Sequence, residues 1–224
     1  MRDILDIITS RRSVKRFLPK FVDWEKLSRI LDAARHAPSS GNLQNRKFIL
    51  VMEPEKKQKL AEAAYDQQDI ALAAALIVVC GEPEKAERYY GERGSIYTIE
   101  AGAAAIQNML LEAYSLGLGS LWVGAFSDEE VRAACGVPEE VQPLAIVAIG
   151  YAAEMPEKPS KFPLESLIYF GSWRNRLKDP AKYMVDIASI LERRAESVKA
   201  VVAEQAKKVS EKAQALLSSH KKEK

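Results

Sequence analysis

Ala75 to Gly81 reads ALIVVCG, seven residues without a charge or a hydroxyl. An apolar run of this length, rich in β-branched side chains, fits a strand buried on both faces. PLAIVAIGY, from Pro143 to Tyr151, is a second such run. Strands that are apolar on both faces need cover above and below, so the chain must place a central sheet between helices. KFILVM (Lys47 to Met52) and SLWVG (Ser120 to Gly124) supply two shorter strands.

The helices follow from periodicity and punctuation. Asp23 is the expected N-cap of a helix carrying Leu27, Ile30, Leu31 and Ala34, which must end before Pro38 because the residue ahead of a proline disfavours helical angles. Pro54 suits the first turn of PEKKQKLAEAAY. From about Ser95 to Leu116, Ile96, Ile99, Ala103, Ile106, Leu110 and Tyr114 form an apolar stripe that Gly117-Leu118-Gly119 stops. Ser127 and Glu130 have the spacing of a capping box, and Gly136 closes the helix they open. Ala152 to Pro163 contains three prolines and reads as an extended loop. Asp179 and Pro180 then start a helix running to about Ser219, on the order of 60 Å if continuous. The reading is a core over 1–173 and a helical extension over 174–224, long enough to pack on a partner subunit.

Several function classes lose support at once. The 33 basic and 31 acidic residues leave a net charge of +2, so any anion site must be local. Mixed charges late in the chain, Glu192, Arg193, Arg194 and Glu196, argue against a nucleic-acid stripe. Cys80 and Cys135 lack a CxxC spacing and sit among apolar residues, the pattern of two reduced, buried thiols in a cytoplasmic protein. No apolar run reaches the roughly 18–20 residues of a membrane span, and the first residues lack a cleavable-signal layout. Two histidines, His36 and His220, cannot build a histidine metal site or a Ser-His-Asp triad; His36 reads as a helix C-terminal residue. No G-x-G-x-x-G follows a strand, and no P-loop occurs.

Four polar stretches remain. SRRSVKRF places Arg11, Arg12, Ser13, Lys15 and Arg16 just after the first apolar turn. Guanidinium forks and a hydroxyl match phosphate geometry, although a solvated basic turn has the same composition. APSSGNLQNRKF offers Ser39, Ser40, Asn42 and Gln44 around Gly41, a set that suits the mixed edge of a flat heterocycle or simply a Ser/Asn turn. GSLWVGAF allows backbone N–H groups to face a ligand beside Trp122, or buries that tryptophan in the core. EKPSKFPLESL brings Lys158 and Lys161 from far along the chain, either to the site or to solvent.

In this order, R-R-S with a nearby lysine, A-P-S-S-G-N-x-Q, QNMLLEAYSLGLGSLWVGAF and AIVAIGYAAEMPEKPSKFPLE, the segments resemble the nitroreductase family of FMN-dependent oxidoreductases over about Met1 to Phe170. The resemblance implies an α+β fold, a central mixed sheet covered by helices, in a homodimer with two FMN sites at the subunit interface. It implies that Arg11, Arg12 and Ser13 hold the FMN phosphate and ribityl chain, joined by Lys161. Lys15 then lies against the polar edge of the flavin, and Gln67 reaches it as well. Pro38, Ser39, Ser40 and Asn42 come from the partner subunit, and the backbone at Val123 and Gly124 faces the reactive nitrogen. No side-chain acid or base is implied as catalytic, and no metal.

The implied activity is two-electron transfer from NAD(P)H to nitro compounds, quinones or similar acceptors by a ping-pong mechanism. Reductive dehalogenation or flavin fragmentation on the same fold, and a scaffold acting through the C-terminal helix, are the rival readings. Asn45-Arg46 stands where the family often has Pro-Trp, a departure expected to affect the substrate side of the pocket.

Overall fold

The computed structural model describes residues 3–176 of the chain. The helix expected from Asp179 lies outside the described residues. After Pro159 the chain divides into two compact units.

The first unit is built on β3 (Ala75–Gly81), every residue of which is buried. Its side chains alternate between two cores. Leu76, Val78 and Cys80 meet Leu60 of α3 (Pro54–Ala63) and Val131 of α6 (Asp128–Cys135). Ala75, Ile77 and Val79 meet Leu27 and Ile30 of α2 (Trp24–Arg35) and Ile106 and Met109 of α5 (Arg93–Ser115). The sheet is thus the middle of three layers, as a doubly apolar strand requires.

β3 pairs antiparallel with β2 (Arg46–Val51) on one side and β5 (Gln142–Ala152) on the other. β5 also carries β4 (Gly119–Val123) and the two-residue β1 (Phe17–Leu18), both antiparallel. One parallel bridge, Ser13 to Ser120, ties the N-terminal segment to β4. Each of the four strands expected from sequence is present within a residue or two of its expected bounds. β1 and α4 (Pro83–Tyr90) are additions.

Several local readings are corrected. Asp23 occupies the N-cap position of α2 but makes no side-chain cap bond. Ser127 does cap α6, accepting from Glu130 N at 3.3 Å, while its own N–H donates to Ala63 O rather than to Glu130. Gly136 ends that helix in the left-handed region, with φ 65°. Cys80 is buried but Cys135 is only partly so.

The buried face of α5 keeps Ile106 and Leu110 of the expected stripe but is otherwise shifted. Gly94, Thr98, Ala101, Gly102, Ala105, Ile106, Met109, Leu110 and Ala113 face inward, whereas Ile96 and Ile99 are about half exposed. Small residues are selected inside because the helix lies close: a Cβ on Gly102 would run into the Leu144 side chain. The helix α1 (Ile4–Ser10), which packs on α5, buries none of its residues, and Ile4, Leu5 and Ile8 are exposed. α2 is fixed across α5 by Arg29 Nη2 to Glu112 Oε1 at 2.7 Å and by Asn108 Nδ2 to Ala33 O at 3.0 Å.

In the second unit, Leu164–Ser166 form one 3-10 turn, and the Tyr169 and Trp173 rings meet edge to face at 4.9 Å.

Candidate functional site

α1 ends at Arg11, whose N–H donates to Ile7 O at 3.0 Å. Arg12 closes that end from outside the helix. Its Nη1 reaches Thr9 O at 3.1 Å, Ser10 O at 2.8 Å and Arg11 O at 3.0 Å. A cation at a helix C-terminus satisfies carbonyls that have no partner within the helix. Arg12 is therefore engaged on one edge, and Arg11 carries the less committed guanidinium. Its Nη1 is buried without any hydrogen bond, the first of two such side-chain atoms among the described residues; the other is Ser120 Oγ. Burial, and secondarily the charge of Arg12, pulls the Arg11 pKa down from its ordinary value.

The chain then runs along β4. Ser13 bridges Ser120, and Val14 N donates to Ser120 O at 2.9 Å. Val14 buries its side chain against Gly119, where even a Cβ would come within 2.9 Å. This close seam aims Arg11 and Lys15 from a fixed base. Lys15 is exposed and shares a cleft of about 390 Å³ with Asp66, Gln67, Gln68, Asp69, Ile70 and Leu121.

Gln67 precedes the 3-10 turn Gln68–Leu72 and donates from Nε2 to Ala64 O at 2.9 Å. Tyr65 and Asp66 before it both have positive φ, 54° and 58°. For side chains other than glycine each such residue costs about 1–2 kcal/mol. Val123 ends β4 with its side chain buried, Gly124 follows exposed, and Trp122 is 39% exposed rather than a core residue.

Pro38, Ser39, Ser40 and Asn42 form a different structure. Gly41, Asn42 and Gln44 all take positive φ, 56°, 54° and 50°. Ser39 Oγ accepts from Gln44 N at 3.0 Å, and Asn42 N donates to Ser39 O at 3.0 Å. A side chain at Gly41 would run into the Tyr90 hydroxyl. The turn is anchored by Arg46, which is 6% exposed. Its Nη1 donates to Pro38 O at 3.2 Å, and its Nη2 to Ala37 O at 2.5 Å, Arg35 O at 3.2 Å and Ala34 O at 3.4 Å. Asn45 is buried as well, donating to Thr98 Oγ1 at 2.7 Å and Glu82 O at 3.3 Å. The Asn45-Arg46 departure thus points into the subunit, where it holds the loop, and does not line the cleft beside Lys15.

The structure places Lys15 and Gln67 in one cleft with Leu121 of β4 and bridges Ser13 to Ser120, with Arg11 and Arg12 just ahead in the chain and Val123 and Gly124 at the end of β4. It does not bring Pro38, Ser39, Ser40 and Asn42 to them. Ser120 stands opposite Ile149, and Ile149 opposite Ala75, whereas Arg46 stands opposite Gly81 at the other end of β3. Six residue steps along β3 and three strand spacings across the sheet separate the two groups, about 20 Å by about 14 Å. Lys161 is exposed in the second unit.

Ser120, Asp66 and Asp69 belong to the site region but were not selected from sequence. The buried hydroxyl of Ser120 becomes evident only once the Ser13 bridge is known, and the two acids carry no motif. Among the described residues, no three metal-ligating side chains are grouped and no helix is long and apolar enough to cross a membrane.

The nitroreductase family profile matches residues 8–82 and 67–151. A Thermus thermophilus protein named NADH dehydrogenase is 32% identical over 204 residues, covering 76% of this chain and 97% of its own. A Bacillus subtilis protein named FMN reductase (NADPH) is 25% identical over 194 residues, covering 80% and 78%. Among solved structures, an FMN-dependent nitroreductase from Clostridium difficile superposes with a TM-score of 0.65 at 27% identity, over 75% of this chain and all but 1% of its own. With its three-layer α+β fold and these matches, this chain belongs to the nitroreductase family of oxidoreductases.

Proposed function

We propose that the chain is an FMN-dependent oxidoreductase that passes two electrons from NAD(P)H to nitro compounds, quinones or similar small acceptors, working as a cytoplasmic homodimer. The observation that carries this reading is Arg11 Nη1, a buried donor with no partner among the described residues, whereas both Nη atoms of Arg46 meet backbone carbonyls. A buried donor without an acceptor is costly, and a phosphate is the acceptor that a guanidinium fork fits. Arg11, Arg12 and Ser13 would hold the FMN phosphate and ribityl chain, while Lys15, Gln67 and the backbone at Val123 and Gly124 would line the ring. Bound FMN would supply the redox chemistry, accepting a hydride equivalent from the nicotinamide and returning two electrons to the acceptor. The protein's part is to bind, orient and polarise. The Lys15 ammonium would offset negative charge developing in the cleft, and Ile70 and Leu121 would narrow it against water.

The homodimer is supported by the distance between the two residue groups. Pro38, Ser39, Ser40 and Asn42 can share a flavin with Arg11 only if they come from a second subunit. Exposed Ile4, Leu5 and Ile8 of α1 and Ile96 and Ile99 of α5 offer apolar surface for that contact. The free thiols Cys80 and Cys135 suit a reducing compartment. Because one cleft must serve donor and acceptor in turn, the expected kinetics are ping-pong, with parallel double-reciprocal lines.

The test is the visible spectrum of the purified protein, followed by anaerobic addition of NADH and of NADPH. A flavin spectrum bleached by at least one nicotinamide supports the proposal. A protein that binds no added FMN returns Arg11 to a solvated turn and leaves the scaffold reading, while a bound flavin that neither nicotinamide bleaches favours another chemistry on this fold.

A further inference from the structure

We infer that Arg46 is a positioning residue that sets the Pro38–Asn42 turn for use by the other subunit's flavin site. The inference rests on the two-subunit site proposed above.

The turn is difficult to hold unaided. Gly41, Asn42 and Gln44 all sit at positive φ, and only one of the three is glycine. The flanking segment, Ala34 to Pro38, leaves a helix and turns at a proline, so its carbonyls point away from any regular ladder. Arg46 draws four of them, those of Ala34, Arg35, Ala37 and Pro38, onto one guanidinium. A planar fork with fixed donors fixes the directions of the carbonyls it binds, which a point-charge ammonium cannot do. Among the described residues Arg46 makes no ion pair with a carboxylate, so backbone carbonyls supply its recorded hydrogen bonds. It is also the first residue of β2, held opposite Gly81 in the sheet. The turn is therefore referenced to β3, every residue of which is buried. Asn45 adds a second anchor through Thr98, a residue on the buried face of α5.

A purely structural arginine would affect its own subunit. A positioning residue for a shared site affects the neighbour's flavin, and subunit mixing separates the two. Arg46→Met and Arg46→Lys are made in the full-length chain, and folding is checked by circular dichroism and assembly by sedimentation. Both homodimers are expected to fold and to bind FMN about 10–100-fold more weakly than wild type, with the lysine variant less affected. The Arg46→Met subunit is then paired with an Arg11→Ala subunit, each carrying its own affinity tag, and the mixed dimer is isolated.

One site of that dimer combines the intact clamp of one chain with the intact turn of the other. Flavin fluorescence titration should show half the sites recovering wild-type affinity. A mixed dimer with no high-affinity site places the effect of Arg46 within its own subunit and overturns the inference. So does wild-type flavin affinity in the Arg46→Met homodimer, or failure of both variants to fold, which makes Arg46 a folding residue only. If the wild-type protein is monomeric and fully flavin-loaded, the two-subunit site itself fails, and that result is visible before any mixing.

Discussion

Arg46 is buried and Arg11 half-buried with its Nη1 out of water, and neither forms an ion pair with a carboxylate among the described residues. Burial lowers the pKa of each from its ordinary value, yet both remain charged because arginine cannot be deprotonated in a protein. They differ in what they face. Arg46 holds four backbone carbonyls, whereas Arg11 Nη1 holds nothing. A charge that must stay buried is tolerated when its donors are matched. Arg46 is thus tied into the fold through its carbonyl partners, whereas Arg11 keeps a buried donor for the anion proposed above. Burial alone does not distinguish a site from a scaffold; the partner count does.

The largest effect expected from this contrast is on the stability of flavin-stripped protein. Arg46→Met leaves several carbonyls without donors and should lower the unfolding free energy by about 2–4 kcal/mol. Arg11→Met removes a donor that has no acceptor and should change it by less than about 1 kcal/mol, or raise it. Urea unfolding of the two variants side by side measures both values. Equal losses would mean that the two arginines are alike in the folded chain.

The next effect reverses the order of the two residues. If Arg11 clamps the FMN phosphate as proposed, Arg11→Ala removes one charged hydrogen-bond partner and FMN binding should weaken about 10–100-fold. The fold should persist, as judged by circular dichroism. Unchanged flavin affinity would show that Arg11 is not part of a clamp, whatever its burial.

The legible parts of the sequence are those in which one residue type can serve only one purpose. ALIVVCG was readable because every residue is buried, so no alternation was needed. Gly136 was readable because a helix end in the left-handed region favours glycine. α4 was missed because only Ala86 is buried in it, and a helix with one inward residue has no apolar period. The face of α5 was legible only at Ile106 and Leu110, because hydrophobicity favours large residues while close packing on the sheet also selected Gly94, Thr98, Gly102 and Ala105. Arg11 stands out in sequence as a candidate anion ligand by composition and motif. The role of Arg46 does not, because four backbone carbonyls leave no trace in side-chain sequence.

A third buried ionisable group sharpens the comparison, since unlike arginine it titrates. Burial pushes the Cys80 thiol up to about 11, with Cys135 adding to the shift and Arg132 opposing it. Below the ordinary thiol value, near 9, both folded and unfolded chains keep the proton, and the contribution to stability is complete. As pH rises from about 9 to 11, the unfolded chain releases the proton first, so stability falls, by an amount on the order of 2 kcal/mol at pH 11. Cys80→Ala should show a flatter stability profile over that window than wild type. Identical slopes would indicate that the thiol is wet enough to ionise in the folded state.

The smallest effect supplies the control on which the Arg46 result depends. Ser127 Oγ accepts from Glu130 N at 3.3 Å, and Ser127 N donates to Ala63 O at 2.8 Å. The side-chain bond caps α6, while the main-chain bond ties the segment after Gly124 to the end of α3. Ser127→Ala removes the first and keeps the second. The expected loss of stability is about 1 kcal/mol, the usual cost of a lost N-cap. Flavin affinity should not change, because Ser127 has no assigned contact with the cofactor and the backbone at Val123 and Gly124 keeps its tie. The variant therefore destabilises the chain without touching either the Arg11 clamp or the Arg46 turn. Should Ser127→Ala weaken FMN binding in proportion to its loss of stability, flavin affinity would follow global stability, and a weakened Arg46→Met homodimer would no longer indicate positioning. If affinity holds while the urea midpoint falls, weaker binding in Arg46→Met reflects the geometry of the turn.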